Sequence, residues 1–259
     1  MSLDVNNGNF RTIIRGEYYN NKYNQYTAEK RIIAQYVVEK YIKDNASVIL
    51  DAGSTIEIVA EEMFKKRKTL TVLTNNMGVY TAYIASLTSE ANDEKGFGIE
   101  SSNFNNTSKR ALYSPNGNEL LLSGGRYVGV YDSLLGSWAL ESVQKFQPSV
   151  IIIGTSGITD EIGICCHGSE ESDYKRALAT KTTSTLIIVT DFTKFGKYDS
   201  FSFAKISELC MKAEEVIIVT NEPSQEDHNS KHDECEKFTK EINRIMALKL
   251  PKLKIERVN

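Results

Sequence analysis

From about residue 30 to its end, the chain alternates short apolar runs with longer stretches of helical periodicity. The apolar runs predict strands at 47–51, 70–74, 119–123, 149–154, 185–190, 215–220 and 252–258. The stretches between them predict helices over 29–43, 55–66, near 77–87, 133–146, 170–183, 203–212 and 234–248. The first of these carries apolar residues at 32, 33, 36, 37, 38, 41 and 42. Strands that are apolar throughout and alternate with helices imply an α/β fold: a mostly parallel sheet with helices on both faces. Trp138, the only tryptophan, falls on an apolar face of the 133–146 segment and is expected in the core. Residues 1–28, rich in Asn and Tyr, read as an arm or linker. Residues 88–118, acidic and rich in Ser and Asn, read as an irregular insertion.

In such sheets ligands bind outside the carboxyl ends of the strands. The polar, glycine-containing turns all fall at that edge: DAGST at 51–55, TNN at 74–76, SGG at 123–125, GTSG at 154–157 and DFTK at 191–194. The first is the most informative. VILDAGST at 48–55 runs from a strand into a helix that carries apolar residues at 56, 58, 59, 60, 63 and 64. Gly53 lets the backbone come close to a ligand, and Ser54 and Thr55 offer hydroxyls. The free amides of the helix start favour an anion. Asp51, at the strand end, would repel phosphate but can accept hydrogen bonds from sugar hydroxyls. The turn therefore suits a phosphorylated polyol or sugar, or else a capped strand–helix junction with no ligand.

Composition narrows the function classes. The chain has 259 residues, enough for a full core, with 25% charged and 41% hydrophobic residues. The formal net charge of −3 gives no overall field favouring nucleic acid. The densest basic run, Lys65 to Lys68, sits where a helix should end and complements its dipole. No apolar run approaches the ~18 residues of a membrane span. The N-terminus does not read as a secretory signal, and four cysteines, two of them adjacent, do not read as a disulfide framework. A cytoplasmic, reduced protein without membrane partners is expected.

Other groupings are weaker. His228, His232 and Cys235 share a helical spacing among acids, yet match no zinc pattern and read as a solvated linker; no metal or cofactor is expected. Cys165, Cys166 and His167 follow the GTSGI turn and in this fold could border the pocket, but a catalytic thiol needs a base and an orienting group, so buried structural thiols are the simpler reading.

Taken in order, the motifs resemble the C-terminal effector domain of the DeoR family of bacterial transcriptional regulators. The matching pieces are KRIIA (30–34), LDAGST (50–55), LTNN (73–76), LLSGG (121–125) and LLGSWALESV (134–143). They continue through FQPSVIIIGTSGI (146–158), EIG (161–163), ESDYKRAL (171–178), DFTKFG (191–196) and IIVTN (217–221). The resemblance spans roughly 29–221 and implies a Rossmann-like fold related to ribose-5-phosphate isomerase. That core would carry the 88–118 insertion, with 222–259 as a C-terminal helix and strand extension of the same domain. It also implies that a phosphorylated sugar or related metabolite is sensed, and that the chain is a homo-oligomer. Effector contacts carry over to Asp51, Gly53, Ser54, Thr55, Asn75, Gly124, Gly125, Gly154, Glu171, Lys175, Asp191 and Lys194. Thr193 replaces the usual serine of the last motif. The family carries a winged helix-turn-helix ahead of this domain, whereas the first 28 residues correspond at best to a linker. DNA contact is therefore expected only through a domain or partner outside this chain.

The main alternative is an isomerase-like enzyme acting on a sugar phosphate, with Asp160, Glu161, Glu171 and Lys175 as acid–base candidates. Against it, GTSGITDEIG puts Ser-Gly where the resemblance to isomerases would require Ala-Asp. A third reading is a pure interaction module. No residue is therefore assigned a catalytic role.

Overall fold

The computed structural model describes residues 16–93 and 116–259. Its elements in chain order begin with α1 (Glu17–Asn24), α2 (Thr27–Tyr41), β1 (Ser47–Leu50), α3 (Ser54–Lys66), β2 (Thr71–Thr74) and α4 (Met77–Asp93). Next come β3 (Glu119–Leu122), β4 (Arg126–Val128), β5 (Ser133–Leu135), α5 (Ser137–Lys145), β6 (Val150–Gly154), β7 (Gly157–Thr159) and β8 (Gly163–Cys166). Then follow α6 (Ser169–Ala179), β9 (Thr183–Val189), a 3-10 turn (Phe192–Lys194), β10 (Phe201–Ala204) and α7 (Ile206–Leu209). The last are β11 (Ala213–Asn221), α8 (Gln225–Ser230), α9 (His232–Ala247) and β12 (Leu253–Val258).

Seven strands form one sheet in the order β12-β11-β9-β6-β1-β2-β3, and every pairing in it is parallel. Side chains alternate between two cores, as strand pleating requires. Ile49, Ile151, Ile153, Leu186, Ile188, Val216 and Ile218 face α5, α6 and α9. Val48, Leu50, Val150, Ile152, Ile187, Val189, Ile217 and Val219 face α2, α3 and α4. Because both faces are covered, the central strands carry continuous apolar runs such as Val150–Ile153 and Leu186–Val189, which is what made them legible.

Register explains why the polar turns share an edge. Leu50 pairs with Thr74 and with Ile152, and Gly154 pairs with Val189. The next residues, Asp51, Asn75, Thr155 and Thr190–Asp191, therefore leave the sheet side by side.

Five expectations are corrected. The 133–146 segment is a short strand followed by a helix, separated at Gly136, whose φ of 104° breaks the helical path. Trp138 on that helix is 72% exposed rather than in the core, because Ala139 and Val143 supply the buried face. The 203–212 segment opens as β10, which joins β8 and β7 in a three-stranded antiparallel sheet, and leaves only a one-turn helix. Part of the presumed arm is a helix: α1 packs on α3 through Tyr19, whose hydroxyl donates to Glu57 Oε2 at 2.9 Å. The insertion expected at 88–118 is helical up to Asp93, and 94–115 lie outside the described residues.

Candidate functional site

The floor of the site is a buried ion pair. Lys175 on α6 donates to Asp51 Oδ2 and, at 2.9 Å, to the carbonyl of Gly154. The Gly154 amide donates to the same Asp51 oxygen at 3.1 Å. One helical turn before Lys175, Glu171 places Oε1 3.5 Å from its ammonium, while Oε2 accepts from the Gly168 amide at 3.3 Å. Burial pushes the Asp51 carboxyl up from the ordinary range against the pull of Lys175. Burial would lower Lys175, but Asp51 and Glu171 outweigh it and hold the lysine above its ordinary value, so it stays charged.

Above the floor stands the start of α3. Gly53 has φ 132° and ψ 155°, a conformation reserved for glycine. The amides of Ser54, Thr55 and Ile56 belong to the first turn and have no helical acceptor. Three lysines surround them. Lys30 on α2, only 4% exposed, donates to Ser54 Oγ at 3.0 Å and to the carbonyl of Lys22. Burial above all, with the Lys194 and Lys22 ammoniums acting against Asp191, brings Lys30 down to about 8. Lys22 is likewise lowered, by burial and by Lys194. Like charges gathered around free amides form a ready anion site. Asp191 accepts from the Thr193 amide at 3.1 Å and lies 3.7 Å from Lys194, which orients that lysine.

A cavity of about 110 Å³ lies between these groups and is roofed by α1. Of the residues expected from sequence, Gly53, Ser54, Thr55, Gly154, Glu171, Lys175, Asp191 and Lys194 line it. Asp51 does not; fully buried behind Lys175, it is turned to that ammonium instead of accepting from a sugar as its strand-end position suggested. Asn75, Gly124 and Gly125 are also absent from the wall. The Asn75 side chain is buried with neither amide atom hydrogen-bonded. Gly125 serves packing: a Cβ there would lie 2.5 Å from the carbonyl of Leu135. Of the isomerase candidates, Asp160 and Glu161 lie outside the cavity, at the β7–β8 turn.

Lining residues outside the expected effector contacts include Tyr18, Lys22, Tyr26, Lys30 and Tyr131. Tyr19, Tyr23 and Tyr26 recur at helical spacing and were the available signal for α1. Lys30 opens the KRIIA piece but was not singled out, because a lysine on an amphipathic helix reads as solvated. Cys165 and Cys166 are buried, and burial first of all pushes the Cys166 thiol up to about 12, so it is no thiolate nucleophile. Among the described residues no three His, Cys, Asp or Glu side chains are grouped to hold a metal ion, and no helix is long and apolar enough to cross a membrane.

Fold and site together define an α/β domain with a lysine-lined cleft at the carboxyl ends of its parallel strands. The family model of the DeoR C-terminal sensor domain matches residues 25–90 and 104–211, and the chain belongs to that family. It is 29% identical over 171 residues to a protein named as an aga operon transcriptional repressor from Escherichia coli O157:H7, covering 66% of this chain and 52% of that one. It is 23% identical over 188 residues to the lactose phosphotransferase system repressor of Staphylococcus aureus, covering 73% and 62%. The chain thus spans between half and two thirds of the length of these relatives. Among solved structures, a probable sor operon regulator from Shigella flexneri is similar at a TM-score of 0.38 and 7% identity, covering 90% of this chain and 85% of that one.

Proposed function

We propose that this sensor domain binds a phosphorylated sugar in the cleft beneath α1 and that the bound sugar phosphate is its signal. One observation carries the reading: Lys22, Lys30 and Lys194 converge on the open first turn of α3, at the cost of a depressed Lys30. Asp191 and Glu171 offset only part of the positive charge that these lysines and Lys175 bring to one cavity, which suits a doubly charged anion. Lys175 and Glu171 on the floor offer a donor and an acceptor to the hydroxyls of the remainder. The names of the relatives, an aga operon repressor and a lactose phosphotransferase system repressor, support a role in the control of sugar genes. Contact with DNA would run through a domain or partner beyond the sensor fold, and the sensor would act as a homo-oligomer.

A thermal-shift panel of phosphorylated sugars tests this directly. At least one member should raise Tm, its unphosphorylated parent should not, and Lys194→Ala should abolish the shift without unfolding the protein. A full panel with no shift overturns the proposal. Light scattering with and without the binding sugar tests the oligomer.

A further inference from the structure

The cavity has a second kind of wall. Tyr18 from α1, Tyr131 from the β4–β5 turn and His167 from the end of β8 all line it. The rings of Tyr18 and His167 stack with centroids 5.7 Å apart and planes 27° apart. Tyr131 meets Tyr18 edge-on at 6.5 Å and His167 at 6.4 Å. His167 is held from behind, with Nδ1 3.2 Å from Asp199 Oδ1. Rings from three distant parts of the chain usually converge to be buried, yet Tyr18 stays 38% exposed and the His167 side chain 51% exposed. Uncovered ring surface inside a cleft invites a flat apolar partner.

The charged and aromatic walls meet at Lys22, whose ammonium lies 5.5 Å from the Tyr18 ring centroid. A ligand whose phosphate sits among the lysines therefore has its remainder beside these rings. Glu171, on the same side, lies near enough to Tyr18 and Tyr131 to help keep both hydroxyls protonated, after the effect of burial. The hydroxyls then remain available as donors at the ring edge.

We infer that Tyr18, Tyr131 and His167 select the cyclic form of a sugar phosphate. This rests on the reading of the cleft as a sugar-phosphate site and adds a specificity to it. A pyranose or furanose presents C–H groups across one face, a plane that an aromatic ring covers well. An open-chain polyol phosphate carries the same charge and hydroxyls but has no such face. The lysines and the α3 terminus hold the charge, and the rings read whether the sugar is closed.

The test pairs each of a panel of hexose 6-phosphates with its hexitol 6-phosphate, which cannot cyclise, and adds inorganic phosphate as a probe of the charged wall. Titration calorimetry on the whole chain should give the best cyclic ligand an affinity about tenfold above its hexitol partner, the scale of a good aromatic contact. Tyr18→Leu and Tyr131→Leu should each bring that ratio toward one and leave inorganic phosphate binding unchanged. Tyr131→Phe, which keeps the ring, should preserve the ratio. Equal affinity for the two members of every pair overturns the inference, as does a ratio that survives both leucine variants. Binding of inorganic phosphate without any cyclic sugar phosphate overturns it too. Failure of every phosphate compound, the inorganic ion included, instead overturns the sugar-phosphate reading beneath it.

Discussion

Lys175 and Asp51, 124 positions apart, form an ion pair with less than 3% of either side chain exposed. The pair joins α6 to the end of β1, and the Gly154 amide and carbonyl add a hydrogen bond to each partner. It therefore sets the height of the cavity floor. Removing one partner leaves the other charge buried and uncompensated, at about 3–5 kcal/mol. Asp51→Ala and Lys175→Met should each show that loss in urea denaturation. The double variant should lose clearly less than the sum of the two. Additive losses would mean that the pair is not coupled.

Binding of a phosphate ester should depend on pH through Lys30. Burial holds its amine near 8, below the ordinary 10.5, and an anion beside it favours the charged form. Above pH 8 the complex must take up a proton, so affinity is full below that value and falls as pH rises through it. On the acid side a phosphate monoester loses its second charge near pH ~6, which sets the other limb. Calorimetry between these limbs should find the maximum, and Lys30→Met should remove the decline near pH 8. An affinity that stays flat into the alkaline range would exclude Lys30 from the site.

Gly53→Ala should damage fold and site together. No atom crowds a Cβ at this position, so the penalty comes only from the backbone, at φ 132° and ψ 155°. Forcing alanine there costs about 1–3 kcal/mol, or else the turn shifts and displaces the α3 amides. A lowered Tm with weakened phosphate binding is expected. A variant with wild-type Tm and affinity would show that the turn tolerates an ordinary residue.

Trp138 gives a check on the fold itself. As the only tryptophan, 72% exposed, it should emit at a solvent-like wavelength and be quenched freely by acrylamide. Trp138→Ser should change stability by no more than about 0.5 kcal/mol, as for a surface position. A blue-shifted, protected emission would place it in an interface or a core instead.

How much could be read beforehand followed the physics of each element. The central strands of the parallel sheet were legible because burial on both faces makes their runs apolar, as in VIIIG and LIIVT. β7, β8 and β10 were not, being three or four residues long and pinned by Gly157 and Gly163 against neighbouring backbone, contacts that leave no periodic trace. The site divided in the same way. Gly53, Ser54 and Thr55 announce themselves through local turn chemistry. The partnership of Asp51 with Lys175 depends on where α6 packs, and a strand-end aspartate looks the same whether it faces a ligand or a buried ammonium. Lys30 reads as a solvated helix position until α1 folds over it.

That covering helix has a kinetic meaning. Tyr19, which lines the cavity, and Tyr23 tie α1 to Glu57 and Glu61 of α3 through hydrogen bonds of 2.9 and 3.0 Å. If a bound molecule is released by the lifting of α1, its residence time is set by ties of this kind and not by diffusion. Such a sensor would respond to the recent history of its metabolite as well as to its present level. Tyr19→Phe with Tyr23→Phe should shorten that memory, read as faster release in a stopped-flow chase.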